Sequence, residues 1–249
     1  MLVLLPPSES KTPARRGLPL DLETLTFPEL TGTRSAVLEA LAGVSAAPDA
    51  LAVLGVPPTL TAEVERNTRL ETSPTAPAGR TYSGVLYEAL DLATLDPAAR
   101  RRANRWLVVV SALFGAVRLG DRIPAYRLSM GVNLPPLGPL ASVWREPLAR
   151  VLPETAGRGV VVDCRSSTYA AAWVPQGPLA RRWVHVRVPG ATHMAKHTRG
   201  LVARHLVEVG LDVRTPRGVA DVVARRFEVH LAEPTRAGQP WVLDAVPRG

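Results

Sequence analysis

The sequence contains only two lysines, Lys11 and Lys196, among its 30 basic residues. With abundant alanine, proline and valine, this ratio is typical of a GC-rich genome in which most lysines have become arginines. Arginine replaces lysine where charge alone is needed, but it cannot supply a compact ammonium or a deprotonatable amine. Unless the two lysines survive by chance, they are candidate amine nucleophiles or clamps for an anion.

Tyrosines and arginines supply the other groups that an enzyme built on these lysines needs. A tyrosine hydroxyl can donate a proton to a leaving group, and a guanidinium can hold an anionic substrate. The candidate catalytic residues are Lys11, Lys196, Tyr82, Tyr126 and Tyr169, and the candidate anion-binding arginines are Arg127 and Arg199.

Familiar catalytic and phosphate-binding motifs are absent: G-x-x-x-x-G-K-[ST], G-x-G-x-x-G and G-x-S-x-G do not occur. Asp163, Ser166 and His193 form a triad only on paper. His193 and His197 are one helical turn apart, a spacing that can hold a metal, and four of the five histidines fall within 185–205. No acidic residue lies in that range to complete a ligand set. We therefore predict neither a metal nor a cofactor, and rank an iron-binding buffer last among the function classes.

The single cysteine, Cys164, excludes a disulfide framework and indicates a reducing compartment. We expect it to be a small buried core residue rather than a reactive thiolate. Ser166, Ser167 and Thr168 after it either present hydroxyl and N–H groups to an anion or cap a helix. Leu2–Leu5 is too short for a signal peptide and no stretch is long enough to span a membrane, which predicts a cytoplasmic protein.

Positive charge is concentrated in one part of the chain. The net charge is +8, but residues 1–79 sum to −3 and residues 80–249 to +11, with +10 in residues 97–187 alone. A concentrated basic segment indicates a polyanionic partner, most often nucleic acid, or else a solvated surface. Aromatic residues make up only 5% of the chain, which argues against a surface built from many stacking rings.

Apolar periodicity predicts a mixed α+β fold in a single domain of 1–249, with a lobe boundary near the turn-rich segment 73–79. The loop 6–19 leaves the end of a buried strand and carries Lys11, and such loops are common places for sites. Strands are predicted at 1–5, 106–113, 159–163, 183–188, 227–231 and 241–246. Helices are predicted at 49–54, 59–67, 82–90, 140–151 and 195–209. Three more helices are predicted to begin after the capping residues Thr33, Asp96 and Thr215. In the helix at 140–151, Pro147 must lie near an end or kink the helix.

Residues 96–128 also admit a helix-hairpin-helix, a motif that holds the DNA backbone through hairpin N–H groups and basic side chains. An arginine-bearing helix, a glycine turn and a following segment supply its parts. The hairpin usually contains Gly-apolar-Gly, whereas this chain has Gly115-Ala116-Val117. The run 106–110 also favours a strand.

Several ordered blocks resemble the YaaA peroxide stress protein family of bacteria over nearly the whole chain. The most specific are 111–118 and 124–131, and both lysines fall inside matching blocks. Thr168 stands where the family has an acidic residue. The resembling blocks are 1–12 with Lys11, 82–87 (Tyr-Ser-Gly-Val-Leu-Tyr), 111–118 (Ser-Ala-Leu-Phe-Gly-Ala-Val-Arg), 124–131 (Pro-Ala-Tyr-Arg-Leu-Ser-Met-Gly), 166–169 and 196–200 (Lys-His-Thr-Arg-Gly).

The resemblance implies an α+β fold with a basic cleft, DNA binding to duplex or branched forms, and a role in limiting iron-driven oxidative damage. A non-enzymatic, monomeric DNA-binding protein is thus the leading hypothesis. The alternative is a cofactor-independent enzyme acting on a nucleotide-like or phosphorylated small molecule in the same cleft. The implied cleft residues are, for DNA or anions, Lys11, Arg118, Arg127, Ser167, Lys196 and Arg199, and, as aromatic groups, Tyr82, Tyr87, Tyr126 and Tyr169.

Overall fold

The computed structural model describes residues 1–190 and 193–248, with His193 described by its backbone alone. Short apolar runs of high β-propensity form most of the strands in this part of the chain. The strands are β1 (Leu2–Leu5), β2 (Ala76–Pro77), β3 (Leu107–Ser111), β4 (Gly115–Val117), β5 (Arg122–Ile123), β6 (Asn133–Leu134), β7 (Gly138–Pro139), β8 (Val161–Asp163), β9 (Trp183–Arg187), β10 (Phe227–Ala232) and β11 (Trp241–Pro247).

Helices connect and cover these strands. The α-helices are α1 (Thr31–Ala46), α2 (Ala50–Leu54), α3 (Thr61–Arg66), α4 (Ala78–Thr81), α5 (Val85–Leu90), α6 (Pro97–Trp106), α7 (Leu140–Ala156), α8 (Ser167–Ala170), α9 (His193–Val209) and α10 (Pro216–Val223). Short 3₁₀ turns lie at Leu22–Thr24, Pro28–Leu30, Pro58–Leu60, Asn67–Arg69, Leu92–Thr94 and Gly177–Arg182.

Seven strands form one mixed sheet in the order β10-β11-β9-β8-β1-β3-β4. The five inner strands β11, β9, β8, β1 and β3 run parallel to one another. The edge strands β10 and β4 pair antiparallel with β11 and β3. Central strands β1, β3 and β8 are buried along their whole length, which explains why their sequences are almost continuously apolar. The predicted combination of helices with a mixed sheet is confirmed, but the sheet is mainly parallel, so the fold is of the mixed α/β type rather than α+β.

The order of the strands creates a switch point beside β1. The chain passes from β1 to β3 on one side of it, and later returns to β8 on the other side. At such a point the loops that leave neighbouring strands diverge and open a crevice beyond the carboxyl ends of the strands. The loop after β1 and the segment after β8 therefore border the expected place for a ligand.

Local signals in the sequence fix several element ends as predicted. Asp96 Oδ1 accepts the N–H groups of Ala98 and Ala99, both at 2.7 Å, and so begins α6. Gly210, with φ of +72°, ends α9. The strands predicted at 227–231 and 241–246 are confirmed, and they pair with each other as the β10–β11 hairpin.

Three helix predictions need correction. Thr33 does not cap α1, because the preceding 3₁₀ turn leads straight into a helix that begins at Thr31. The helix expected at 82–90 is interrupted, since Gly84 has φ of +95° and α5 starts only at Val85. The helix predicted at 140–151 continues as far as Ala156, so of the two alternatives for Pro147 a position near an end is wrong and a kink remains a prediction.

The segment 96–128 does not form a helix-hairpin-helix. After α6, residues 107–111 and 115–117 form the antiparallel strands β3 and β4, and both belong to the seven-stranded sheet. The three consecutive valines of β3 favour a buried strand, and this preference outweighs the helical alternative. Segment 73–79, expected as a lobe boundary, contributes β2, which pairs with β5.

None of the helices described is both long and apolar enough to cross a bilayer.

Candidate functional site

A cavity of about 230 Å³ lies at the switch point between β1 and β8, and we call it the switch-point cavity. Residues 6–10 after β1 and residues Cys164 and Ser166 after β8 line one part of it, and α5 and α9 line the rest. A larger and more open depression of about 560 Å³ lies beyond Tyr87, which borders both. Of these two, the smaller cavity sits where the sheet topology predicts a ligand.

Two cations from α9 face this cavity. Lys196 is exposed, and Arg199, one helical turn later, is half-buried and donates from Nε to the Val186 carbonyl at 3.1 Å. Residues three apart lie on the same side of a helix, so both charges reach the same space. The predicted anion-binding pair Lys196 and Arg199 is thus brought together, opposite the hydroxyls of Ser8, Ser10 and Ser166.

Gly200 allows α9 to approach α5 closely enough to place these cations. A Cβ atom at position 200 would lie 2.2 Å from the Leu86 carbonyl oxygen and 2.9 Å from the Ala89 Cβ. Both of these obstacles are parts of α5 that cannot rotate away.

We expect Gly200→Ala to lower the free energy of unfolding by about 1–3 kcal/mol, because the extra methyl group forces α9 and α5 apart. Urea denaturation measures this change. Gly43→Ala in α1 is the matched control, since a Cβ there meets nothing within 4 Å. Equal stability of the two variants would contradict the close packing of α9 on α5.

Lys11 lies on the other side of the loop that borders the cavity. Its Nζ donates to the carbonyl oxygens of Ser8 at 2.7 Å and Glu9 at 3.5 Å, and lies 4.1 Å from the centroid of the Tyr126 ring. An ammonium has three N–H donors, so two carbonyls and one aromatic face satisfy all of them. Lys11 itself does not line the switch-point cavity. It fastens the loop that does.

Burial lowers the pKa of Lys11 to about 7. The carboxylates of Glu9 and Glu63 oppose this shift, and the guanidinium of Arg127 adds to it. Both carboxylates instead pair with Arg127, at 2.8 Å for Glu9 and 3.8 Å for Glu63. Asn67 holds the Arg127 backbone by accepting from its N–H and donating to its carbonyl, both at 2.9 Å.

A chain of hydroxyl groups lies beneath Lys11, and its direction can be derived. Ser111 Oγ accepts the N–H groups of Leu113 and Phe114, so its own proton is free only for Tyr126 Oη at 2.7 Å. The Tyr126 hydroxyl then donates to Tyr82 Oη at 3.1 Å. Burial raises the pKa of Tyr82 to about 12 and the pKa of Tyr126 well above its usual value, so both stay protonated at neutral pH. The chain ends in a proton donor on Tyr82.

The remaining predicted aromatic residues form walls of the cavity. The ring of Tyr87 stacks on the ring of Tyr82 with centroids 5.4 Å apart, and its hydroxyl donates to the Pro6 carbonyl at 2.8 Å. Tyr169 is buried and lines the cavity from α8. Burial raises the pKa of both hydroxyls, which excludes them as phenolate nucleophiles at neutral pH.

Two predicted anion-binding residues, Arg118 and Ser167, lie away from both Lys11 and the switch-point cavity. Arg118 donates to the backbone carbonyls of Arg105 and Leu107, so its guanidinium fastens the end of α6 to the sheet. Ser167 is exposed at the start of α8 and does not line the switch-point cavity. Its neighbour Ser166 lines the cavity instead.

A buried ion pair, which the sequence did not reveal, supports the floor of the site. Asp163 at the end of β8 accepts from Arg165 Nε at 2.8 Å and from Nη2 at 2.7 Å, and both side chains are fully buried. Trp183 Nε1 donates to the same carboxylate at 3.1 Å. Arg165 also donates to the carbonyls of Tyr169 and Trp173, which fixes the turn that carries Ser166. Asp163 is therefore a structural residue and not the acid of a triad.

The histidines do not gather into a metal site within the described residues. There, no three His, Cys, Asp or Glu side chains lie close enough to hold an ion. His205 is buried, with Nε2 at 3.0 Å from the Val222 carbonyl oxygen. Burial lowers the pKa of His185 in β9. The His193 side chain, part of two predicted arrangements, lies outside the described structure.

Cys164 is fully buried, as predicted, and burial raises the pKa of its thiol to about 12. We expect the native protein not to react with a thiol reagent at pH 8, whereas the urea-unfolded protein reacts with one equivalent. Absorbance of the released thiol chromophore measures both. Rapid labelling of the native protein would contradict the buried position of Cys164.

Residues 1–231 match the model of the family described as peroxide stress protein YaaA. The chain belongs to this family. A UPF0246 protein of Streptomyces coelicolor is 50% identical over 99% of this chain and 98% of its own length. A UPF0246 protein of Corynebacterium efficiens is 42% identical over 89% of this chain and 91% of its own length.

The blocks that carry the YaaA resemblance converge on the site. Four of these blocks contribute a side chain to the switch-point cavity or to the group formed by Lys11, Tyr82, Tyr126 and Arg127. They are the loop of Lys11, the segment 82–87, the block 124–131 and the block 196–200. Ser111 begins a fifth block and anchors the hydroxyl chain. The structure thus brings together segments that are far apart in this YaaA-family sequence.

The arginines behind the positive charge of 97–187 are largely engaged within the protein. Nine of the 14 donate to backbone carbonyls or pair with carboxylates: Arg100, Arg102, Arg118, Arg122, Arg127, Arg150, Arg165, Arg182 and Arg187. Five are exposed and have no such partner in the described part of the chain: Arg101, Arg105, Arg145, Arg158 and Arg181. Fewer guanidinium groups are therefore free of internal contacts, and able to donate to an external polyanion, than the count of arginines indicates.

Proposed function

We propose that this YaaA-family protein binds a small phosphorylated, nucleotide-like molecule in the switch-point cavity, and acts through it in the peroxide stress response. One observation carries the proposal: Lys196 and Arg199 face a cavity bordered by serine hydroxyls at the topological switch point of the sheet. Ammonium and guanidinium groups are the usual partners of phosphate, and such switch points are the usual ligand sites of open sheets.

The size of the cavity favours a small ligand over a nucleic acid duplex. Its volume of about 230 Å³ is slightly below the roughly 300–1,000 Å³ of typical small-molecule pockets, and it is far too small to hold a duplex. A sugar phosphate or one nucleotide unit fits such a space, with Tyr87 and Tyr169 available to contact a sugar or base. The buried cysteine and the absence of any membrane-spanning helix among the described residues agree with a cytoplasmic place of action.

A thermal-shift panel tests this proposal. We expect ribose 5-phosphate and AMP at 1 mM to raise the melting temperature, and adenosine to leave it unchanged, because only the first two present a phosphate. The shift should be lost in Arg199→Gln and largely kept in Lys196→Arg, since a phosphate clamp tolerates either cation. Equal shifts with adenosine and AMP would contradict phosphate recognition.

DNA binding is the second candidate, and the five exposed, unpaired arginines favour it. Arg101 and Arg105 lie one turn apart on α6, where they can contact neighbouring phosphates. Such contacts give affinity with little sequence preference and strong salt dependence. In this hypothesis the switch-point cavity plays no part in holding the duplex.

Titration of labelled duplex and four-way-junction DNA at several salt concentrations tests this candidate. Affinity falls as salt rises, and we expect the magnitude of the slope of log affinity against log salt to be smaller by about 2 in an Arg101→Gln/Arg105→Gln double variant. Lys11→Ala/Lys196→Ala should leave that slope unchanged if the cavity is not the DNA site. No binding at about 0.15 M salt would remove DNA binding as a function.

A further inference from the structure

We infer that Lys11 is a carbonyl-reactive amine, and that the phosphorylated ligand of the adjoining cavity carries an aldehyde or ketone. This inference rests on the proposed function of the switch-point cavity and names the chemistry of its ligand more closely. A lysine forms an imine when its amine is neutral and the carbonyl compound is held nearby.

The contacts of Lys11 leave its amine without a carboxylate partner in the described structure. Glu9 and Glu63 both turn their carboxylates to Arg127, and Lys11 Nζ contacts backbone carbonyls and the rings of Tyr126 and Tyr82. An ordinary structural lysine gains its stability from a carboxylate or from water. The Lys11 amine instead meets backbone carbonyls and aromatic rings, and burial lowers its pKa to about 7 although the charge of Glu9 opposes this shift.

Lys11 is also next to the space where the phosphate is proposed to bind. Its acceptors Ser8 and Glu9 line the switch-point cavity, so Nζ lies 2.7 Å from an atom of a lining residue. To react, the flexible four-carbon side chain turns away from Tyr126 and past Ser8. The retention of lysine at only two positions among 30 basic residues is an independent sign that arginine does not serve here.

The reaction is a condensation with no net redox change. The neutral amine adds to the carbonyl carbon and forms a C–N bond. The carbonyl oxygen leaves as water together with both amine protons, and a C=N bond remains. One amine proton passes to the oxygen after the C–N bond has formed, and the second joins it as the oxygen leaves, so no further proton donor is consumed.

Because the chain has only two lysines, each labelled position can be assigned without ambiguity. The protein is treated with glycolaldehyde phosphate or with glycolaldehyde, each with cyanoborohydride, and peptide mass mapping locates the reduced adducts. Arg158→Lys, a change at an exposed position, supplies an ordinary lysine as an internal reference. The N-terminal amine, held by Asp212 at 2.7 Å, is mapped separately.

We expect the phosphorylated aldehyde to label Lys11 at least about tenfold faster than the reference lysine at pH 7, because the neutral fraction of an ordinary lysine is about 10³ times smaller. The rate should rise with a midpoint near pH 7, the pKa of Lys11. Glu63→Gln should move that midpoint to lower pH, a change that a purely structural lysine would not show. Labelling of Lys11 no faster than the reference would overturn the inference.

The two aldehydes separate this inference from the proposed function. Equal labelling of Lys11 by both, with no protection by AMP, supports the amine chemistry and contradicts phosphate binding in the cavity. Protection and a preference for the phosphorylated aldehyde, but with the adduct on Lys196, supports phosphate binding and overturns the role of Lys11.

Discussion

Replacing Asp163 by asparagine will lower the free energy of unfolding by about 3–5 kcal/mol, because it leaves the Arg165 guanidinium buried without its counter-charge. Both side chains are fully buried, and four hydrogen bonds converge on the carboxylate, including one from the Arg165 backbone N–H. An asparagine accepts fewer of these bonds and neutralises no charge. Urea denaturation at pH 7 measures the loss.

The effect should depend on pH in a defined direction. Burial alone would raise the pKa of Asp163, but the charge and hydrogen bonds of Arg165 outweigh it and hold the pKa below its usual value. The wild-type advantage over Asp163→Asn is therefore fully present above the unfolded-state pKa of about 3.9, and is lost as pH falls through the folded-state pKa.

Asp244→Asn is the matched control for this variant. Asp244 also pairs with an arginine, but Arg187 is exposed, and surface pairs contribute about 0–1 kcal/mol. If Asp163→Asn were no more destabilising than Asp244→Asn, the buried pair would not support the turn beneath the cavity.

Exchanging Lys11 for arginine should also have a large effect. We expect Lys11→Arg to lower the free energy of unfolding by about 2 kcal/mol, because a planar and permanently charged guanidinium cannot direct its donors at two carbonyls and the Tyr126 ring in a buried pocket that holds a compact amine. The loop 6–10 then loses its fastening, and ribose 5-phosphate should bind at least about tenfold more weakly. Chemical denaturation and fluorescence titration measure the two effects.

The second lysine supplies the control within the same chain. Lys196 is exposed, so Lys196→Arg should change stability by less than about 0.5 kcal/mol. If both exchanges proved equally harmless, Lys11 would be an ordinary cation and not the support of the loop.

Much of the fold follows from local signals in the sequence. Buried strands β1, β3 and β8 were predictable because their residues are apolar without interruption, and α6 was predictable from Asp96 and Pro97. The failed predictions involve competition between local and tertiary preferences. The possible helix-hairpin-helix competed with a β-prone run that the sheet buries, and Gly84 interrupts a helix at a place where Ser8 packs against it.

The site was predictable in its residue types but not in its arrangement. Scarcity of lysine singled out Lys11 and Lys196, yet it could not show that the first fastens a loop from behind while the second faces the cavity. Ser111, Glu63 and Asn67 were missed as site residues, because their roles depend on contacts with distant segments. No local pattern distinguishes such residues from ordinary polar ones.

Charge counting does not show which arginines are free to contact a partner. Arg102 and Arg182 each donate to carbonyls left open by other elements, a role that the sequence alone does not distinguish from phosphate contact. In an arginine-rich chain, many guanidinium groups serve the fold. The formal net charge of the sequence therefore does not give the number of guanidinium groups that are free to bind a partner.

The most direct test of the central proposal is calorimetric titration of AMP into the wild-type protein, Arg199→Gln and Arg158→Gln. Both variants lose one positive charge, but only Arg199 faces the switch-point cavity. We expect Arg199→Gln to weaken binding by about 100-fold, or roughly 2.7 kcal/mol, and Arg158→Gln to bind as the wild type does. Equal weakening in both variants, or unchanged binding in Arg199→Gln, would contradict a phosphate site in this cavity.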